Sequence, residues 1–102
     1  MAVKVHLRKV SIVAERVLRE ELLELLKTSG ATGWTLTSVE GEGSRGIRAS
    51  EFEGSNVQID TLVAPELADT LMEKIAARYF ADWSLIVYSA DVEVLRGDKY
   101  SH

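Results

Sequence analysis

The chain has no cysteine. Disulfides, thiolate metal centres and cysteine nucleophiles are therefore excluded, and the chain suits a reducing compartment. Histidine is scarce as well: His6 and His102 lie at opposite ends of the sequence. Neither belongs to a cluster with metal-ligand spacing. No apolar run approaches the length of a membrane helix, and Lys4, Arg8 and Lys9 interrupt the apolar positions near the N-terminus. Neither a spanning segment nor a secretory leader is expected. There is no basic excess: 12 Lys and Arg stand against 16 Asp and Glu, for a net charge of -4. A general nucleic-acid binder would carry a basic face, so nucleic acid is not an expected partner. What is present is 102 residues, 46% hydrophobic and 27% charged. That composition fits one folded domain over 1–102, expected in the cytoplasm.

Along the chain, the apolar periodicity alternates between two repeats. Residues 3–13 place Val3, Val5, Leu7, Lys9, Ser11 and Val13 on one strand face and Lys4, His6, Arg8, Val10 and Ile12 on the other. Residues 15–29 carry Leu18, Leu22, Leu25 and Leu26 at helical spacing, and Gly30 supplies a stop. Residues 34–40 and 56–63 read as strands rich in β-branched side chains. Pro65 opens a second helix, in which Leu67, Ala68, Leu71, Met72, Ile75 and Tyr79 form the apolar stripe. Residues 85–95 form a fourth strand, and 96–102 a short polar tail. The order β-α-β-β-α-β predicts an α+β, ferredoxin-like sandwich: a four-stranded antiparallel sheet with both helices on one face. Ile86, Tyr88, Ala90, Val92 and Val94 would then fall on the uncovered face. Exposed apolar sheet faces mark association, so an oligomer is expected.

Chemistry concentrates in Gly41-Glu42-Gly43-Ser44-Arg45-Gly46-Ile47-Arg48, between the second and third strands. Glycines let main-chain amides approach a ligand, and arginine offers a planar fork to phosphate or carboxylate. The stretch reads either as an anion cradle or as a hairpin tip with two solvated arginines. The spacing Gly41-x-Gly43-x-x-Gly46 matches a dinucleotide fingerprint by letter. That fingerprint needs a helix at its third glycine, whereas another strand follows here. No Ser–His–Asp constellation or acid–base pair emerges, so a binding module is favoured over an enzyme. Trp34 and Trp83 flank turns; either could stack on a base, but core or interface packing is the expectation.

Thr35-Leu36-Thr37-Ser38-Val39-Glu40-Gly41-Glu42-Gly43 resembles the second strand and T-loop base of PII signal-transduction proteins. Gly43-Ser44-Arg45-Gly46-Ile47-Arg48 is similar to the G-S-R-x-x-R pattern of the SbtB-like and carboxysome-associated PII branch, and Ala77-Arg78-Tyr79-Phe80-Ala81-Asp82-Trp83 points the same way. The resemblance implies a homotrimer with an adenine-nucleotide site between neighbouring subunits and a flexible T-loop over about 42–54. By position it implies nucleotide contacts from Thr35, Gly41, Gly43, Ser44, Arg45 and Arg48, from the turn at Trp83, Ser84 and Leu85, and from Arg96 of another subunit. The turn before the last strand, residues 80–84, lacks the lysine and glycines found in many members. AMP, ADP or cyclic AMP is therefore expected ahead of Mg-ATP. Segment 42–54 has no tyrosine to accept a uridylyl group.

The branch further implies a role in inorganic-carbon uptake or carboxysome-linked metabolism. Its ligands would include bicarbonate, and its partner would be a bicarbonate transporter at the inner membrane or a carboxysome-associated protein. No cofactor, metal or catalytic residue is expected. The competing reading is a ferredoxin-like trimer that binds metal or another small ligand without nucleotide signalling.

Overall fold

The computed structural model of the protein describes residues 2–40 and 56–96. Strand β1 (Val3–Glu15) leads through a 3-10 turn (Arg16–Leu18) into helix α1 (Arg19–Ser29). Strands β2 (Thr35–Val39) and β3 (Asn56–Val63) follow, then helix α2 (Pro65–Tyr79) and strand β4 (Ile86–Arg96). The sheet order is β2-β3-β1-β4, and every adjacent pair is antiparallel. This is the expected ferredoxin-like arrangement.

Of the boundaries that differ from the sequence reading, two do so for reasons of long-range pairing. Its neighbours' periodicity puts Glu15 in the first helix, yet it pairs with Asn56 and keeps extended backbone. Local composition puts Arg96 in the polar tail, yet it pairs with Val3 as the last residue of β4. Local pattern carries no information about a partner strand tens of residues away.

Register sorts the side chains. Val10, Ile12 and Ala14 of β1 stand opposite Thr61, Ile59 and Val57 of β3, all buried on the helix side of the sheet. Against them pack Leu18, Leu22, Leu25 and Leu26 from the first half of the chain, and Ala68, Leu71, Ile75 and Tyr79 from α2. Full burial of each large apolar side chain contributes about 1.5–3 kcal/mol. Leu67 and Met72, also in the expected stripe, are half-buried at its rim. Helix α1 ends where Gly30 adopts φ 111°, the left-handed position that glycine reaches at least cost. Helix α2 begins with Pro65 and has Glu66 in its first turn and Arg78 in its last, as the helix dipole favours.

The two helices are tied by Tyr79, whose hydroxyl donates to Glu21 Oε1 at 3.0 Å. Burial, then the bond to the Glu21 carboxylate, raises the phenol above its ordinary pKa of 10. The neutral phenol thus stabilises the fold fully below pH 10, and this contribution is lost as pH climbs through the raised value. Tyr79→Phe is expected to cost about 1 kcal/mol at neutral pH, roughly 5 °C in melting temperature. Urea titrations should find the difference shrinking only above pH 10.

Among the described residues, no helix lies on the opposite face of the sheet. Val3, Val5, Leu7 and Val13 of β1 meet Arg96, Val94, Val92 and Ile86 of β4 there, and Tyr88 lies across from Ser11. In the single chain Ile86 is 61% exposed and Tyr88 43%. β3 pairs with β1 only from Arg8 to Glu15. Residues 3–7 and 92–96 therefore continue as a two-stranded ribbon beyond the end of β3. The ribbon's other side is charged: Glu93 lies 3.5 Å from His6 and 3.9 Å from Lys4, exposed contacts of small energetic value.

Candidate functional site

The site is built where β2 meets β3. Thr35 pairs with Asp60, and Asp60 pairs with Ser11, which puts the three on one row of the uncovered face. Ser11 is fully buried, and its hydroxyl donates to Asp60 Oδ1 at 2.6 Å. Gln58 Nε2 donates to the same carboxylate at 3.2 Å. Asp60 is thus held in one orientation. One residue on, the Thr61 hydroxyl donates to the Gly33 carbonyl at 2.6 Å.

These contacts border a cleft of about 200 Å³. Thr32, Gly33, Trp34 and Thr35 form one wall, and Asp60, Thr61 and Leu62 the other. Arg96 completes the lining from the end of β4. Trp34 is 39% exposed, so part of its ring is available at the rim. Sites that hold a whole small molecule run to about 300–1,000 Å³. A cleft of this size encloses only part of a nucleotide.

Of the expected site residues, the fold brings Thr35 and Arg96 into this one cleft. Trp83, Ser84 and Leu85 lie elsewhere, in the turn between α2 and β4. The Trp83 N–H donates to the Tyr79 carbonyl at 2.8 Å, and Trp83 and Leu85 pack half-buried against the core. That turn adjoins the end of the sheet where Val13 pairs with Ile86 and Val39 with Asn56. Residue 40 leaves the sheet from the same end. Strand β4 runs 11 residues from Ile86 to Arg96, about 35 Å of chain at 3.3 Å per residue. The turn and the cleft therefore sit at opposite ends of β4. Gly41, Gly43, Ser44, Arg45 and Arg48, with the whole T-loop segment 42–54, lie outside the described residues. Among the described residues, no group of three or more His, Asp or Glu could hold a metal ion, and no helix is long and apolar enough to cross a membrane.

Sequence reading missed Asp60, Thr61 and Leu62. They look like ordinary members of an alternating strand, and only pairing with β2 brings them to the cleft. Trp34, for which the sequence favours core or interface packing, borders the cleft instead.

A family model for nitrogen regulatory protein P-II matches residues 7–99. The chain belongs to the P-II family. Among solved structures, this P-II chain is 42% identical to a PII-like signalling protein from Thermus thermophilus, with a TM-score of 0.81 over 96% of this chain and 98% of that one. It is 26% identical to CPII, a nitrogen regulatory PII-like protein from Thiomonas intermedia, bound to ADP, AMP and bicarbonate, with a TM-score of 0.76 over 93% and 99% of the two chains. A further structure of that CPII, bound to ADP and bicarbonate, is 27% identical with a TM-score of 0.79, covering 92% of this chain and 93% of the other. The P-II chain is a PII-like regulatory protein, and the matching family is a regulatory rather than a catalytic one.

Proposed function

We propose that this P-II chain is an adenylate-sensing trimer whose nucleotide sites form between subunits. The observation that carries the reading is the cleft in which Thr35 and Arg96 meet, which is too small for a whole nucleotide. One subunit would offer this cleft, with Trp34 positioned to stack on the base and Arg96 directed to phosphate. The next subunit would offer Gly41, Gly43, Ser44, Arg45 and Arg48 with the turn at Trp83, Ser84 and Leu85. The apolar face of β1 and β4 supports the assembly, because a lone subunit leaves it in water. The ADP-, AMP- and bicarbonate-bound structures of Thiomonas CPII support the ligand class. Bicarbonate is then a second input, and inorganic-carbon uptake or carboxysome-linked metabolism the setting. A transporter or carboxysome-associated protein would read segment 42–54. Ligand contacts that favour one arrangement of that segment would switch the partner surface.

Isothermal titration with AMP, ADP, ATP and cyclic AMP, with and without bicarbonate, tests this directly. The expected result is saturable binding near one ligand per chain, AMP or ADP tighter than Mg-ATP, and a shift with bicarbonate. Arg96→Ala should weaken AMP and ADP by about 10- to 100-fold, the loss of one charge-assisted contact. Silence with every adenylate from a folded trimer would remove the reading.

A further inference from the structure

Thr61 stands out within β3. It occupies a helix-facing position between Ile59 and Val63, where a hydrocarbon would complete the apolar pattern, and it is only 2% exposed. A hydroxyl buried there is costly unless it finds a partner. Its partner is the Gly33 carbonyl, 28 positions earlier in the chain. Gly33 belongs to the short connection between α1 and β2. Upstream, the Ala31 N–H is bonded to the Leu26 carbonyl at 3.0 Å; downstream, the ladder with β3 begins at Thr35. A Cβ at Gly33 would meet nothing within 4 Å, so packing by a side chain could not lock this position. The Thr61 hydroxyl holds it instead. The next two residues, Trp34 and Thr35, form the rim of the cleft. On the other face of the same strand, Ser11 fixes Asp60 in the facing wall.

We propose that Thr61 is a positioning residue for the adenylate cleft. Its hydroxyl keeps residues 33–35 in ligand-ready geometry, so their ordering cost is met in folding and not at binding. The inference rests on the nucleotide reading above and adds a residue that touches the cleft's backbone wall from the core side.

The test is isothermal titration of the full chain with AMP and ADP, alongside thermal melting without ligand. Thr61→Val keeps the buried shape and removes the hydroxyl. It is expected to raise Kd about tenfold by the same factor for AMP and ADP, because the rim moves and the phosphate contacts do not. Thr61→Ser should restore Kd to within about threefold of the parent. If Thr61→Val does not fold, Thr61→Ala is read in its place. Parent-like affinity in a folded variant lacking the hydroxyl overturns the inference, as does a loss that serine fails to rescue. A parent protein that binds no adenylate would overturn the nucleotide reading, and this inference with it.

Discussion

Replacing Arg45 and Arg48 together with alanine is expected to weaken AMP and ADP binding by about 10²- to 10⁴-fold. Each guanidinium can give a phosphate two parallel N–H donors, and a charge-assisted contact is worth roughly 1.5–3 kcal/mol. Two such contacts sum to about 3–6 kcal/mol, which sets the range. Their spacing around Gly46 places both within one short glycine-containing run, so they would act on the same group. Competition against a fluorescent adenylate reads the change. The ligand-free melting temperature should stay within a few degrees, since neither substitution alters the core cluster among the described residues. Affinity within threefold of the parent would remove both arginines from the site.

The second large effect is on assembly. Ile86→Asp is expected to convert the proposed trimer into monomers while leaving the circular dichroism spectrum intact. Ile86 is 61% exposed in the isolated chain, so a charge there costs a lone subunit little. Against a second subunit the same carboxylate would be buried without a partner, a penalty of several kcal/mol. It stands opposite Val13 on the apolar face, where no basic side chain of its own row could answer it. Sedimentation velocity distinguishes the species. Adenylate binding should fall with assembly if, as proposed, the cleft of Thr35 and Arg96 is only one part of an intersubunit site. A trimer that survives the substitution would place the interface elsewhere.

The architecture was legible because its signals are local. Alternation through Ile86, Tyr88, Ala90, Val92 and Val94 marks one strand face, and the Leu18, Leu22, Leu25 and Leu26 spacing marks one helix face. The register confirms the first assignment, and the core confirms the second. Motif residues were legible for a different reason: the run from Thr35 to Gly43 resembles a known family by letter, and that family is the one that matches. The cleft itself was not legible. Asp60 and Thr61 differ from their neighbours only in polarity, and their meaning depends on Ser11 and Gly33, far away in sequence. Arg96 looked like the start of a tail because nothing nearby predicts its pairing with Val3. Trp83 packs half-buried against the core, as the sequence reading favours, while Trp34 borders the cleft.

The pairing of Val39 with Asn56 has a consequence for how this chain can diversify. That rung closes the excursion of residues 40–55 at its base, so the ends stay fixed whatever lies between them. The entropy of closing a loop grows only with the logarithm of its length, and doubling the length costs about 0.6 kcal/mol. By that rule a change in the length of the connection costs little in closure, so long as Val39 and Asn56 keep their pairing. Outside the proposed ligand contacts from Gly41 to Arg48, a partner's recognition sequence could therefore change between those two anchor positions while their rung stays in place.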